Sequence, residues 1–266
     1  MASFTHTIAR VATWNLAGYQ DIDAERAAHQ IEGLALLDAE LVVLIEVRPV
    51  SHLQRLVDGL AALGLDYSAT LIEQPVRLHI GVLAKGGVGI ENPRLLEGSQ
   101  GDYANGRRAL VFDLRIGRFS AHVLGLHLKS GRGAPQQALR DSQCRAIGSY
   151  VDAYRAAPGQ SRRTILMMGD FNMIPGQDVS NFHHLGGQDV MDFVSSWDLQ
   201  DRFSHILDLG RANLLDGFAI SRTYSTRYVR GSLRLFPMHW TMELGREAFR
   251  DRVSDHLPFT ASFRIA

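Results

Sequence analysis

The chain has 266 residues, 28 Lys+Arg against 28 Asp+Glu, 45% hydrophobic residues and one cysteine. That length and apolar content suit one large α/β domain with a sizeable core and exclude a disordered chain. Zero formal charge excludes a protein built to coat nucleic acid, and the lone Cys144 excludes an internal disulfide framework.

The neutrality conceals an asymmetry. Residues 1–98 carry 12 acidic and 7 basic side chains, a net of −5, and the remainder carries 16 and 21, a net of +5. Of the 28 basic residues 26 are Arg, whose planar fork pairs with phosphate in a way Lys cannot. A codon bias would give the same total, so placement matters more than number.

In chain order, residues 1–7 are polar and IARVATWNL (8–16) reads as a buried strand rather than a leader, which points to a cytoplasmic protein. A helix is expected over 24–38, where Ala27, Ile31 and Leu34 recur at helical spacing. A buried strand follows at 41–47 (LVVLIEV), then a helix at 51–63. Short strands are expected at 66–72, 78–85, 88–96, 107–116 and 119–128, punctuated by Gly-rich turns. A helix over 136–156 precedes the buried strand 163–169, and strands are expected at 217–222, 227–236 and 258–265. No apolar run approaches the roughly 18–20 residues of a membrane helix. With no repeat or linker in view, residues 1–266 are expected to form a single domain. Helix-linked strands followed by a hairpin run predict mixed sheets with helices outside.

The chemistry-bearing residues sit where apolar strands stop. Asn15 closes ATWN; Glu46 follows the unbroken run LVVLI; Asp170 and Asn172 lie in GDFN after TILMM. His127 and Lys129 alternate in GLHLKSG, and Asp255 and His256 precede the last strand in SDHLP. A carboxylate after five apolar residues is costly unless a cation shares it. Carboxylates with an amide suit a hard ion, Mg²⁺ or its substitute Mn²⁺, and histidines supply protons or hydrogen bonds to phosphate.

Taken in order, TWN, the strand-end Glu, HLKSG, GDFN and SDHLP resemble the endonuclease/exonuclease/phosphatase superfamily, the DNase I-like fold, over residues 8–264. The resemblance implies a four-layer α/β sandwich, two mixed β-sheets packed face to face with helices outside, and Mg²⁺-dependent hydrolysis of a phosphoester. It implies Glu46 as the principal metal ligand, with Asn15 beside it and Asp255 as an auxiliary or charge-balancing ligand. Asp170 would orient or deprotonate water, and Asn172 would help place it. His256 would contact the scissile phosphate, Asp216 in LLDGFAIS would pair with that histidine, and His127 would be a phosphate-contacting or acid-side histidine.

The substrate is less sharply written. Arg107 and Arg108 open the strand ALVFDL, and Arg108 and Lys129 are expected to contact substrate. The stretch 221–240 carries four Arg, no acidic residue and interleaved aromatics, so Arg227 and Arg230 are expected to meet a nucleic-acid strand. An exposed hairpin with no ligand is an equal reading of that stretch. Leu235, Phe236, Pro237 and Met238 beside Trp240 could instead form an apolar tip at lipid head groups. Arg132 and Arg140 flank HLKSG as substrate contacts or helix-surface charges. His183 and His184 read as surface loop, and Cys144 as packing. The expectation is a phosphodiesterase acting on DNA or RNA. Alternatives are a phosphomonoesterase or phospholipid phosphodiesterase with the same centre, and an inactive binding module.

Overall fold

A computed structural model of the chain describes residues 7–18, 20–186, 191–193, 204–206, 212–221 and 226–266. The elements run β1 (Ile8–Asn15), α1 (Ala24–Leu37), β2 (Leu41–Val47), α2 (Val50–Ala62), β3 (Tyr67–Leu71), β4 (His79–Lys85) and β5 (Gly89–Leu95). They continue with β6 (Leu110–Ile116), β7 (Phe119–His127), α3 (Ala134–Ala156), β8 (Thr164–Asp170), α4 (Val179–Leu185), β9 (Met191–Phe193), β10 (His205–Ile206) and β11 (Ala212–Asn213). The last are β12 (Asp216–Ser221), β13 (Arg234–Leu235), α5 (Met238–Thr241), α6 (Arg246–Arg252) and β14 (Phe259–Arg264).

Two six-stranded mixed sheets carry the fold, ordered β13-β14-β1-β2-β4-β3 and β5-β6-β7-β8-β12-β9. In each, one parallel pair sits among antiparallel neighbours: β1 with β2, and β7 with β8. Alternation along the strands makes the layers. One face of each sheet supplies Val11, Val43 and Ile80, or Phe112, Val123 and Leu166, to a shared inner core. The other face of the first sheet puts Trp14, Leu44 and Leu83 against Leu34 and Leu56 of α1 and α2. The second sheet puts Leu124 and Met167 against Ile147 and Val151 of α3. Strands buried on both faces read as the unbroken runs LVVLI and TILMM.

The topology gathers chain ends at one edge of this sandwich. The parallel strands β1, β2, β7 and β8 finish there at Asn15, Glu46, His127 and Asp170. Antiparallel β12 begins there, with Asp216 opposite Asp170, and β14 begins there just after His256. Ligands gather at the C-terminal ends of parallel strands because that is where loops converge free of sheet pairing.

Three expectations about elements are corrected. The strand expected at 227–236 is only Arg234–Leu235. Residues 226–233 instead run as a loop along β14, bridged at Tyr228 to Phe263 and turned at Gly231, whose φ is +73°. Arg222 and Tyr224 lie outside the described residues. His183 and His184 belong to α4 and not to a loop. The apolar tip does not form: Met238 is fully buried against Trp14 and Gly33, and only Trp240 stands out, 62% exposed. Among the described residues no helix is long and apolar enough to cross a membrane.

Gln30 of α1 ties two of the converging ends together. Its Nε2 donates to the carbonyls of Leu16 (3.0 Å) and Val253 (2.8 Å), so its Oε1 must accept from His52 Nε2, 2.7 Å away. His52 Nδ1 is then the bare nitrogen, buried without a hydrogen-bond partner. Burial, with the Arg55 charge nearby, holds this imidazole down to about 4 from 6.5. The unfolded chain therefore takes up the proton first, and stability complete above pH 6.5 is lost as pH falls toward 4. The cost reaches about 3 kcal/mol. Urea unfolding of wild type and His52→Gln between these limits should show the shallower decline in the variant; parallel declines would refute the assignment.

Candidate active site

Glu46 owes its place to a bulge. Pairing of β2 with β4 slips between Ile45 and Val47, leaving Glu46 in the left-handed region with φ +62°. A non-glycine residue held there marks local strain, which persists only where surrounding structure enforces it. The enforcement comes from the β1 exit: Leu16 N–H donates to Ile45 O at 2.9 Å, and a Cβ on Gly18 would collide with the Glu46 carbonyl. Gly169 plays the same part in β8. With φ +139° it lets the chain pass the Leu126 carbonyl, where a Cβ would also collide, and so sets Asp170 beside His127.

Asn15 joins the two sheets. Its Nδ2 donates to Asp170 Oδ2 at 3.2 Å, while its Oδ1 accepts from Ala17 N–H at 3.0 Å. Asp170 Oδ1 accepts the Asn172 N–H at 2.9 Å, and Asn172, itself left-handed at φ +52°, donates from Nδ2 to Leu128 O at 3.2 Å. His127 Nε2 lies 3.3 Å from Glu46 Oε1 and 3.7 Å from Asp170 Oδ2. Across from these, His256 Nδ1 donates to Asp216 Oδ2 at 2.6 Å. Trp14 Nε1 donates to His256 O at 2.9 Å, and Ser254 Oγ donates to Asn15 O at 2.6 Å, locking the SDHLP turn onto β1.

The two histidines are driven to opposite charge states. Complete burial, with the charges of Arg107 and His256 nearby, keeps the His127 imidazole neutral, well below its usual range. Burial also disfavours His256 imidazolium, but the charge and hydrogen bond of Asp216, with Asp255 and Asp170 behind it, raise it to about 10. Burial lifts Asp170 to about 7, and the charges of Asp216 and Glu46 add to it against the pull of His256. Glu46 is likewise raised, chiefly by burial. A base near neutrality facing a fixed cation is the pairing general acid–base chemistry needs.

The residues present fit a hard divalent cation. Glu46 Oε2 is buried with no hydrogen-bond partner, an arrangement that costs free energy unless a cation takes it up. Donor atoms of Glu46, His127 and Asp170 lie within 4.8 Å of one another, as do those of Asp170, Asp216 and His256. Because the imidazolium and Asp216 occupy the second group, the first, with its unpartnered Glu46 oxygen, is the one that could hold a cation.

The structure thus brings together Asn15, Glu46, His127, Asp170, Asn172, Asp216, Asp255 and His256. Asp255 sits between two imidazoles, 3.2 Å from His205 Nε2 and 3.9 Å from His256 Nε2. The basic residues sort differently. Arg108 pairs with Glu97 at 2.6 Å, so Arg107 takes the inward place: it donates to the carbonyls of His127 (3.1 Å) and Leu128 (2.8 Å), and its charge acts on Asp170 and Glu46. Lys129 Nζ lies 5.4 Å above the Tyr103 ring, beside this group. Arg227 is not at the site. It donates to the Arg264 and Ala266 carbonyls, at the end of β14 that pairs with Ile8 rather than with Thr13. Arg230 is exposed in the turn along that same edge.

Two participants carry no sequence signal strong enough to single out. Ser204 Oγ donates to Asp216 Oδ2 at 2.6 Å and accepts the N–H groups of Leu215 and Asp216, and the His205 ring lies 4.6 Å from that of His256, tilted by 39°. Their only mark is a strand of two residues, too short for periodicity to reveal.

No protein-family model and no curated protein matches the chain. The comparison with solved structures shows the fold, a DNase I-like sandwich shared with the structures below. Similar structures include TDP2 from D. rerio complexed with single-strand DNA product, at TM-score 0.73 and 16% identity over 97% of this chain and 100% of that one. The human Nocturnin catalytic domain with bound sulfate anion aligns at TM-score 0.71 and 15% identity, over 96% and 94% of the two chains. An endonuclease/exonuclease/phosphatase from Bacteroides vulgatus aligns at TM-score 0.69 and 14% identity, over 98% and 100%.

Millimolar Mg²⁺ or Mn²⁺ should raise the melting temperature of wild type, by about 3 kcal/mol of added stability at a hundredfold excess over the dissociation constant. Glu46→Gln should remove most of that gain; an equal gain in the variant would displace Glu46 as the holder.

Proposed function

We propose that the chain is a divalent-metal-dependent phosphodiesterase acting on nucleic acid. The observation that carries this reading is the opposition of charges within one buried group of side chains. An unpartnered Glu46 oxygen and Asp170 stand on one side, and a His256 imidazolium held by Asp216 stands on the other. A phosphate between them meets a cation holder and a fixed donor at once, which is the arrangement that stabilises charge developing on its oxygens.

Glu46 and Asn15 would hold Mg²⁺, which supplies Lewis-acid polarisation of the phosphate oxygens when bound. Asp170 takes a proton from the attacking water. Burial leaves it basic enough to do so near neutral pH, and the Asn172 N–H and Asn15 amide fix its two oxygens. His256 donates from Nε2 to a phosphate oxygen, since Nδ1 is committed to Asp216. Neutral His127 offers a hydrogen bond without adding charge, and Arg107 places a guanidinium behind it.

The two named neighbours with bound molecules, one carrying a single-strand DNA product and the other a sulfate, support a phosphate-binding centre. Tyr103 and Lys129, side by side near Arg107, offer a ring and a cation for a nucleotide flanking the cleaved phosphate.

With Mg²⁺ or Mn²⁺ the purified chain should hydrolyse bis(p-nitrophenyl) phosphate and single-stranded oligonucleotides, and EDTA should stop both. Asp170→Asn should lower kcat by about 10²–10⁴-fold, the range for losing a general base. His256→Gln should cost on the order of 10²–10³-fold, as for removal of a charge-stabilising donor. Full activity in either variant would overturn the assignment, and turnover of phosphomonoesters alone would move the chain to that class.

A further inference from the structure

A second charged cluster lies beside His127 and Asp170 without belonging to their chemistry. Arg140 of α3 is fully buried. Its Nη1 donates to the carbonyls of Lys129 (2.8 Å) and Gly131 (3.1 Å), and its Nη2 pairs with Asp178 Oδ1 at 2.8 Å. The other Asp178 oxygen accepts the Ile174 N–H at 2.7 Å and Arg132 Nη1 at 2.8 Å. Arg132 then donates from Nη2 to the Asn172 carbonyl at 2.8 Å. Neither arginine is a helix-surface charge, and each is already committed to this network.

One carboxylate and two guanidinium groups therefore span both loops that leave the parallel pair of the second sheet. The 128–132 loop follows His127, and the 171–178 loop follows Asp170. Asn172 is the sensitive point of the second loop. Its backbone is left-handed, its N–H orients Asp170 Oδ1, and its carbonyl is the atom Arg132 holds. A planar fork that bonds two acceptors fixes direction as well as distance, which a lysine cannot reproduce.

We propose that Arg132 is a positioning residue: by bridging the Asp178 carboxylate and the Asn172 carbonyl it holds the turn that aims Asp170, with Arg140 as the buried post beneath Asp178. Its catalytic consequence rests on the hydrolase reading given above. Removing Arg140 would strand a buried carboxylate and destabilise the chain, so Arg140 variants cannot separate aim from stability. Arg132 can, because its side chain is 41% exposed.

The test compares wild type, Arg132→Ala and Arg132→Lys in two measurements. In the first, amide hydrogen exchange at residues 170–173 should accelerate in Arg132→Ala while exchange in β7 and the melting temperature stay near wild type. In the second, kcat on bis(p-nitrophenyl) phosphate with Mn²⁺ should fall on the order of 10–100-fold, the scale expected when a catalytic group is misplaced by about an ångström. KM should be unchanged, Arg132→Lys should lie between, and low millimolar guanidinium should restore part of the loss in Arg132→Ala. Unchanged exchange at Asn172 overturns the proposal, and so does a rise in KM at constant kcat, which would make Arg132 a substrate contact. If wild type hydrolyses no phosphodiester, the hydrolase reading falls, and the exchange measurement still decides whether Arg132 holds the turn.

Discussion

Four carboxylates repel one another at the edge of the sandwich, and the fold closes only because positive charge is placed among them. Glu46, Asp170, Asp216 and Asp255 are all buried, and their mutual repulsion contributes to the upward shifts of Glu46 and Asp170. In so dry a place, water cannot screen them. His256 answers Asp216, Asp255 and Asp170, Arg107 reaches toward Asp170 and Glu46, and the unpartnered Glu46 oxygen is where a cation would complete the balance. The protonated histidine and the inward arginine follow from that need.

The formal neutrality of the chain looks different in this setting. Four acidic residues are gathered at one centre, and some of the arginine is spent on carbonyls and carboxylates within the fold. Buried Arg26 and Arg140, with half-buried Arg107, all bond backbone oxygens. An arginine-rich composition is therefore partly a means of tying loops to the frame, in addition to any surface it offers to phosphate.

The sequence is most informative where burial and chemistry collide. A glutamate after LVVLI and an aspartate after TILMM are conspicuous because an unbroken apolar run predicts a strand, and an ionisable residue at its end needs a reason. Asp216 is legible only through the resemblance, while His256 is marked by its place before the last strand and takes its role from the resemblance alone. Arg107 and Arg108 could not be separated, because both precede β6 and the irregular chain there carries no periodicity to say which one turns inward. Arg227 and Arg230 misled for a similar reason. Composition marks 221–240 as basic and aromatic, but the chain lays residues 227–229 along Ser262–Arg264, the end of β14 that pairs with Ile8–Arg10. Ser204, His205 and the network of Arg132, Arg140 and Asp178 depend on contacts between residues far apart in sequence, which no local pattern encodes.

The hydrogen bond from Asn15 to Asp170 crosses from one sheet to the other. Each sheet therefore owns half of the centre: Asn15 and Glu46 come from the first, and His127, Asp170 and Asp216 from the second. The site is a property of their docking rather than of either layer. A chain with only one sheet formed would hold only half of these groups, so the buried acids meet one another only when the two sheets dock.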